Sequence, residues 1–409
     1  MVHTFADCVS MRVTITNRGP RSWVQSPLAV LAVTLADNNR LGLQGRRVLA
    51  GRRYKTRYSA CLWGRFQLTM PSLVIANDIE FHYTDSGVPP LQDVPYITLI
   101  AVHGMGYNNG IFKRVQELAQ DANLRIVAVN RRQYAGSTPV PDAESAVLVS
   151  GSDEQKAEFL AARGLELAQF AVTFIRKEGT PPISTDRKGG GVALLGWSSG
   201  NTATLAMIAN VDRLPSDMQS CLAVHLRALI MQEPPSLAIG YPLPPGTWAP
   251  HMDTSMPPEL HTPFWAQWIT SYFDHGDPSS RDPEVLSYIV PSFSRRPTIY
   301  DMTAEELEQM LDQSVAEMPG MFCSTAQALV NTRKACFDDK IRALLPHLKV
   351  SHIEGSCAAS FAIPGRWSLE DDDQANGGGR INFVMISGVN HFMHWDNPRE
   401  TMKTYLDVL

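Results

Sequence analysis

Gly189-Gly190-Gly191-Val192-Ala193-Leu194-Leu195-Gly196-Trp197-Ser198-Ser199-Gly200-Asn201 is the stretch on which the reading of this 409-residue chain turns. Three glycines make a turn, Val192 to Leu195 is an apolar run of buried-strand type, and Asn201 to Ile208 can continue as a helix. Between them, Gly196-x-Ser198-x-Gly200 puts a serine on a tight strand-to-helix turn. A strained backbone at that point demands small residues two before and two after it, and both are glycine. The turn lifts the Ser198 hydroxyl clear of the sheet at a helix N-terminus, where developing negative charge is favoured. Ser199 is the competing hydroxyl, but only Ser198 has glycine on both flanks. The pentapeptide alone also suits an ordinary Gly/Ser turn, so the rest of the chain decides.

Length allows a sizeable core, as one large domain with an insertion or as two domains. Charge is uneven: residues 1–69 carry eleven Lys and Arg against only Asp7 and Asp37, while the whole chain is net −5. The acidic remainder argues against a nucleic-acid surface there. Six scattered cysteines show no C-x-x-C and no metal-ligand spacing, which favours free thiols in a reducing, intracellular compartment. A Cys323–Cys336 disulfide has no secretory signature behind it. No apolar run approaches the roughly 20 residues that span a bilayer. The Arg-rich, acid-poor start fits a mitochondrial transit peptide, and equally an upstream extension of a cytoplasmic protein that begins near Met70.

From Ser72 the pattern becomes regular. Leu73 to Tyr83 reads as a strand pair at a sheet edge, and Tyr96 to Val102 as a central strand leading into His103-Gly104-Met105-Gly106. A helix from near Ile111, a strand over Leu124 to Val129, a long helix over Asp153 to Lys177 and a strand over Leu226 to Met231 follow. Strand–helix alternation with short apolar strands predicts a mostly parallel sheet covered on both faces. Between Pro235 and about Pro346 the strand signal stops. Thr303 to Glu306 is a capping box opening a helix with Leu307, Met310, Leu311 and Val315 on one face. Phe264, Trp265, Trp268, Ile269, Tyr272 and Phe273 share another helical face. Strands resume at Leu348 to Ile353 and Ile381 to Ile386, with a last helix near Arg399 to Val408. Glu370 to Asp373 and Gly377 to Gly379 read as a solvated loop between those strands.

The elbow around Ser198, the His103-Gly104 loop after a buried strand, and Gly388-Val389-Asn390-His391 followed by Asp396 and Pro398 together resemble the serine α/β-hydrolases. The resemblance covers about residues 72–235 and 346–409. It implies an α/β-hydrolase fold with an inserted helical cap: a basic extension over 1–69, core over 70–235 and 346–409, cap over 236–345. It implies Ser198 as nucleophile and His391 as base, since His391 and not His394 keeps the family spacing to the acid and proline that follow. The family's usual acid position after the seventh strand holds no carboxylate here. Glu233, at the end of Leu226 to Met231, suits the minority arrangement in which the acid follows the sixth strand; Glu354 is the alternative. The backbone N–H groups of Met105 and Ser199 map onto the oxyanion hole. Asn130, in a loop that resembles the family's Asp-x-Arg-Gly segment, replaces an acid and reads as structural.

His103, Gly104, Trp197, Trp265 and Trp268 are candidate substrate contacts, and the cap aromatics read either as the cap's own core or as pocket lining. The implied activity is hydrolysis of a carboxylic ester or related acyl bond of a small, apolar substrate, with no cofactor and no metal. Epoxide hydrolases and haloalkane dehalogenases of this fold use an Asp nucleophile, which Ser198 argues against. Two alternatives remain: an acyltransferase of the same fold, and a non-catalytic binding member. Gly189 to Gly191 lacks the Lys-Ser/Thr of a phosphate loop, so nucleotide binding is not expected.

Overall fold

A computed structural model describes residues 71–90, 95–312 and 318–409, with the side chain of Met318 excepted. The expectations for residues 1–69 and for Val315 lie outside the described residues.

Eight strands form one sheet in the order β1-β2-β4-β3-β5-β6-β7-β8. They are β1 (Ser72–Val74), β2 (Glu80–Asp85), β3 (Ile97–Val102), β4 (Leu124–Val129), β5 (Val192–Trp197), β6 (Leu226–Gln232), β7 (Lys349–Gly355) and β8 (Ile381–Ile386). β1 pairs antiparallel with β2, and β2 antiparallel with β4; every other pairing is parallel. β3, β4, β5 and β6 are buried along their whole length, as expected of parallel strands covered on both faces.

Side-chain alternation along a strand sorts the core into two layers. Ile100, Val102 and Leu194 join a cluster on one face, whereas Leu99, Ala101, Leu195 and Trp197 join the cluster on the other. The main helices are α1 (Lys113–Ala119), α2 (Asp153–Glu178), α3 (Gly200–Ala209), α4 (Ser216–His225), α5 (Pro258–Ile269), α6 (Ala304–Met310), α7 (Thr325–Phe337), α8 (Ile363–Ala375) and α9 (Pro398–Val408). Phe170 and Phe174 of α2 and Leu205 and Met207 of α3 cover the first face; Val115 of α1 and Tyr405 of α9 cover the second. α2 opens on a capping box in which Ser152 and Gln155 satisfy each other's backbone amides, and it closes on Gly179 in the left-handed region at φ 62°. Gly164 lets it approach α3, since a Cβ there would lie 2.4 Å from the Ala206 carbonyl carbon.

Between β6 and β7 no described residue forms a strand. The helices of this stretch divide between the two faces of the sheet. α5 and α6 gather over the second face through Trp265, Trp268, Ile269 and Met310, whereas α7 inserts Ala335, Cys336 and Phe337 into the cluster that holds α2 and α3.

Three readings need correction. Tyr272 and Phe273 lie beyond the end of α5, so they do not share its helical face; Tyr272 instead donates from its hydroxyl to Asp396 Oδ2 (2.6 Å). Leu311 likewise falls past α6, where it forms an isolated bridge with Tyr107. Glu370 to Asp373 belong to α8, not to a solvated loop, because Asp373 is buried and accepts from the amides of Gly379 (2.8 Å), Arg380 (3.0 Å) and Ile381 (3.2 Å).

Candidate active site

The elbow is built as its glycines require. Ser198 sits at φ 55°, a left-handed conformation unusual for a residue with a side chain. A Cβ at Gly200 would lie 2.3 Å from the Val102 carbonyl oxygen, and one at Gly196 would lie 2.6 Å from Thr204 Oγ1. Asn201 Nδ2 donates to the carbonyls of Ser198 (2.9 Å) and Gln232 (3.2 Å), and the Ser198 amide donates to Gln232 (3.0 Å). The turn is thereby tied to the end of the neighbouring strand.

Glu233 follows that strand, at φ 50° and wholly buried. Its amide donates to the Ile353 carbonyl (2.9 Å), one carboxyl oxygen accepts from the Gly355 amide, and the other lies 3.3 Å from His391 Nδ1. β5, β6, β7 and β8 are consecutive neighbours, so Ser198, Glu233, Gly355 and the 388–391 loop line up along the C-terminal edge of the sheet. That edge is where open α/β sheets bind ligands.

His391 is held from several sides. Its carbonyl accepts from Trp197 Nε1 (3.0 Å), its ring lies 5.2 Å from the Trp197 ring, and Phe361 meets it edge-on at 5.5 Å. Asn390 Nδ2 donates to the Thr270 carbonyl (2.9 Å) and to Thr298 Oγ1 (2.8 Å), which in turn donates to Asp396 Oδ2 (2.6 Å). Burial pushes His391 far below the ordinary imidazole value, to about 3, so its ring is neutral at rest. Burial also pushes Glu233 up, with the Gly355 amide and the Arg366 charge pulling it back.

Glu354, the alternative acid, meets no partner of this kind. Both its oxygens are buried without a hydrogen bond among the described residues, and burial together with the nearby Glu233 carboxyl raises it further still. The His391 ring is brought to Glu233 and not to Glu354.

The His103-Gly104 loop packs directly on the elbow, since a Cβ at Gly104 would lie 2.6 Å from Ser198 Cβ. The Gly104 carbonyl accepts from Arg131 Nη2 (2.7 Å) and the Tyr134 hydroxyl (3.2 Å). In a planar trans peptide the next N–H points the opposite way, so the Met105 amide is turned from Arg131 and Tyr134. Tyr134 also accepts from the Gly106 amide (2.9 Å). Arg131 and Tyr134 were not singled out by sequence reasoning. Their signal was position alone, in the loop after β4 that resembles a family segment.

The candidate substrate contacts divide. Trp265 and Trp268 line a cavity of about 60 Å³ together with Met105, Ser198, Ser199 and Phe361, and both also pack in the core. Trp265 stands against Gly106, where a Cβ would lie 2.4 Å from its ring. His103 and Trp197 do not line that cavity. His103 is wholly buried, with Nδ1 2.8 Å from the Gly104 carbonyl and Nε2 accepting from the Arg131 amide (3.1 Å), and burial keeps it neutral. Trp197 directs its N–H to the His391 loop. Gly104 contributes space to the elbow, not a contact surface. Asn130 accepts from the Asn109 amide (2.8 Å) and donates to the Ala135 carbonyl (3.0 Å), a loop-holding role. His394 is buried, its Nδ1 2.9 Å from Gln232 Nε2. The four described cysteines are free thiols. Among the described residues no helix is long and apolar enough to cross a membrane.

A sheet of this order, with a left-handed turn after β5 and a buried Glu–His contact at its C-terminal edge, defines an α/β-hydrolase. A family profile described as "Alpha/beta hydrolase family" matches residues 99–404, and the chain belongs to that family. It is similar in structure to a thermophilic esterase from Thermogutta terrifontis, with 16% identity and a TM-score of 0.44, covering 83% of this chain and 97% of that one. Potato (Solanum tuberosum) epoxide hydrolase I matches at 14% identity and TM-score 0.42, covering 83% and 98%. A variant of VrEH2 in complex with SNO matches at 12% identity and TM-score 0.51, covering 83% and 98%. A search of curated proteins returned no match.

Proposed function

We propose that the protein is a serine hydrolase that cleaves a carboxylic ester, or a related acyl bond, through an acyl-enzyme on Ser198. The observation that carries this reading is the buried contact of 3.3 Å between His391 Nδ1 and Glu233, beside a left-handed serine that opens on a cavity. In the proposed reaction the Ser198 oxygen attacks the carbonyl carbon while His391 Nε2 takes its proton. Glu233 holds Nδ1–H and stabilises the imidazolium as it forms. The N–H groups of Met105 and Ser199 donate to the carbonyl oxygen as it gains charge; one such donor is worth about 3–4 kcal/mol in comparable sites. Collapse of the tetrahedral intermediate expels the alcohol, which takes the proton from His391. Water then repeats the sequence and frees the acid.

A fluorophosphonate probe tests the reading. Stoichiometric labelling is expected for the wild type and for Ser199→Ala, none for Ser198→Ala, with hydrolysis of p-nitrophenyl butyrate following the same pattern. A folded wild-type protein that takes up no probe would favour the non-catalytic member of the fold.

A further inference from the structure

Ser199 and Met321 border a second cavity, of about 520 Å³, as well as the small aromatic one above Ser198. Its walls include Arg131, Arg132 and Arg163 against only two acids, Asp142 and Glu166. Every nitrogen of the Arg132 guanidinium has an acceptor: Nη1 in Glu166 (2.7 Å), Nε in the Thr138 carbonyl (3.0 Å) and Nη2 in the Pro139 carbonyl (2.9 Å). Arg163 does not. Its Nη2 serves Glu144 (2.8 Å) and Glu166 (2.7 Å), while Nε and Nη1 are buried with no acceptor among the described residues. The same Glu166 oxygen is thus shared between two guanidinium groups, and burial works against its charged form. Buried donors on a charged group that find no acceptor are costly; both lie closed off beside the Phe159 ring, 4.8 Å from the guanidinium, so a small turn of the Arg163 side chain toward an anion in the cavity would remove that cost.

We propose that the larger cavity receives the part of the substrate remote from the scissile bond, and that this part ends in a carboxylate held by Arg163. The proposal rests on the serine-hydrolase reading and narrows its substrate to esters that carry a free acid group. Val102, Leu148, Phe159 and Leu160 line the same space, so the link between ester and acid is apolar. Arg163 is a specificity residue here, because it touches the substrate away from the reacting atoms.

The test compares p-nitrophenyl monoesters of succinic, glutaric and adipic acids with uncharged esters of matched length. Butyrate esters of hydroxybenzoic acids, against those of the corresponding methyl hydroxybenzoates, place the charge on the leaving side instead. In the wild type at least one acid-bearing set is expected to exceed its uncharged counterpart in kcat/KM by about tenfold, the factor that one charge-assisted contact supplies. That ratio should collapse in Arg163→Gln and recover in part in Arg163→Lys. It should also shrink in the wild type as salt rises from about 0.02 to 0.5 M, which keeps the test independent of how well the glutamine variant folds. Equal or better turnover of the uncharged esters in both sets, or a preference that persists in Arg163→Gln, overturns the proposal while fluorophosphonate labelling of Ser198 leaves the serine reading standing. A wild type that neither labels nor hydrolyses overturns both.

Discussion

Both carboxyl oxygens of Glu354 are buried without a partner among the described residues, whereas Glu233, on the adjacent strand end, is met by a backbone amide and by His391. The two acids therefore respond differently to the same change. Glu233→Gln should lower kcat by about 10³- to 10⁴-fold, as loss of the orienting acid does in comparable triads, and a rate within tenfold of wild type would remove Glu233 from the mechanism. Glu354→Gln should leave kcat nearly unchanged, because among the described residues no hydrogen bond joins Glu354 to the His391 ring, which meets Glu233 instead. The pH profile follows from the same directions. His391 is held below its ordinary value, so its basic form is present well below pH 6.5 and imposes no acid limb there. Glu233 is held above 4.5, so kcat/KM should climb with pH as Glu233 ionises, beyond the range in which an exposed carboxylate would already be charged. For stability the sign is reversed at Glu354. Its raised pKa gives a contribution that is full below the unfolded value and is lost as pH rises toward the folded one. Glu354→Gln should accordingly raise Tm more at pH 8 than at pH 5, and an equal shift at both would show that the acid is not neutral in the fold.

β5, its elbow and α3 were legible because the constraint is local: Gly196, Ser198 and Gly200 lie within one turn, and the clashes a Cβ would make at the two glycines explain the pattern. Glu233 entered the sequence reading only through the resemblance, which allows an acid after the sixth strand; the structure adds that the end of β6 lies beside the end of β5. α8 was not. Its run of acids looks like solvated chain until three-dimensional partners appear: Asp372 accepts from the Tyr241 hydroxyl (2.7 Å) and Arg333 Nε (2.8 Å), and Asp373 from three amides that lead into β8. Gly377, Gly378 and Gly379, at φ 99°, 71° and 75°, form the turn that makes those amides available. Asp373→Ala would leave the buried Ile381 amide without this acceptor and give the Gly379 and Arg380 amides over to water, and urea unfolding should show a loss of about 1–3 kcal/mol. A change below about 0.5 kcal/mol would return the segment to a loop role. The arginines of the larger cavity were hidden for a related reason. Arg131 and Arg132 follow β4 and Arg163 lies within α2, so no spacing rule joins them.

At the scale of the whole molecule, the segments around the site are cross-tied to the sheet edge to different degrees. Tyr272 and Thr298, from the stretch between β6 and β7, both donate to Asp396 (2.6 Å each), and Asn390 reaches back to the same stretch. Trp265 leans on Gly106 only by packing. Trp265→Ala should therefore raise KM for small esters several-fold and enlarge the accepted acyl group, with a smaller change in kcat. A fall in kcat alone, at constant KM, would mean that the ring positions the Gly104–Gly106 loop and does not shape the cavity.

The indole of Trp197 is fastened to the backbone of His391, so the residue preceding Ser198 and the loop that carries His391 travel as one piece. Loosening of the aromatic roof changes who may enter without changing how sharp the blade beneath it is. A compact covalent reagent should consequently inactivate wild type and Trp265→Ala at equal speed, while a bulky one gains in the variant.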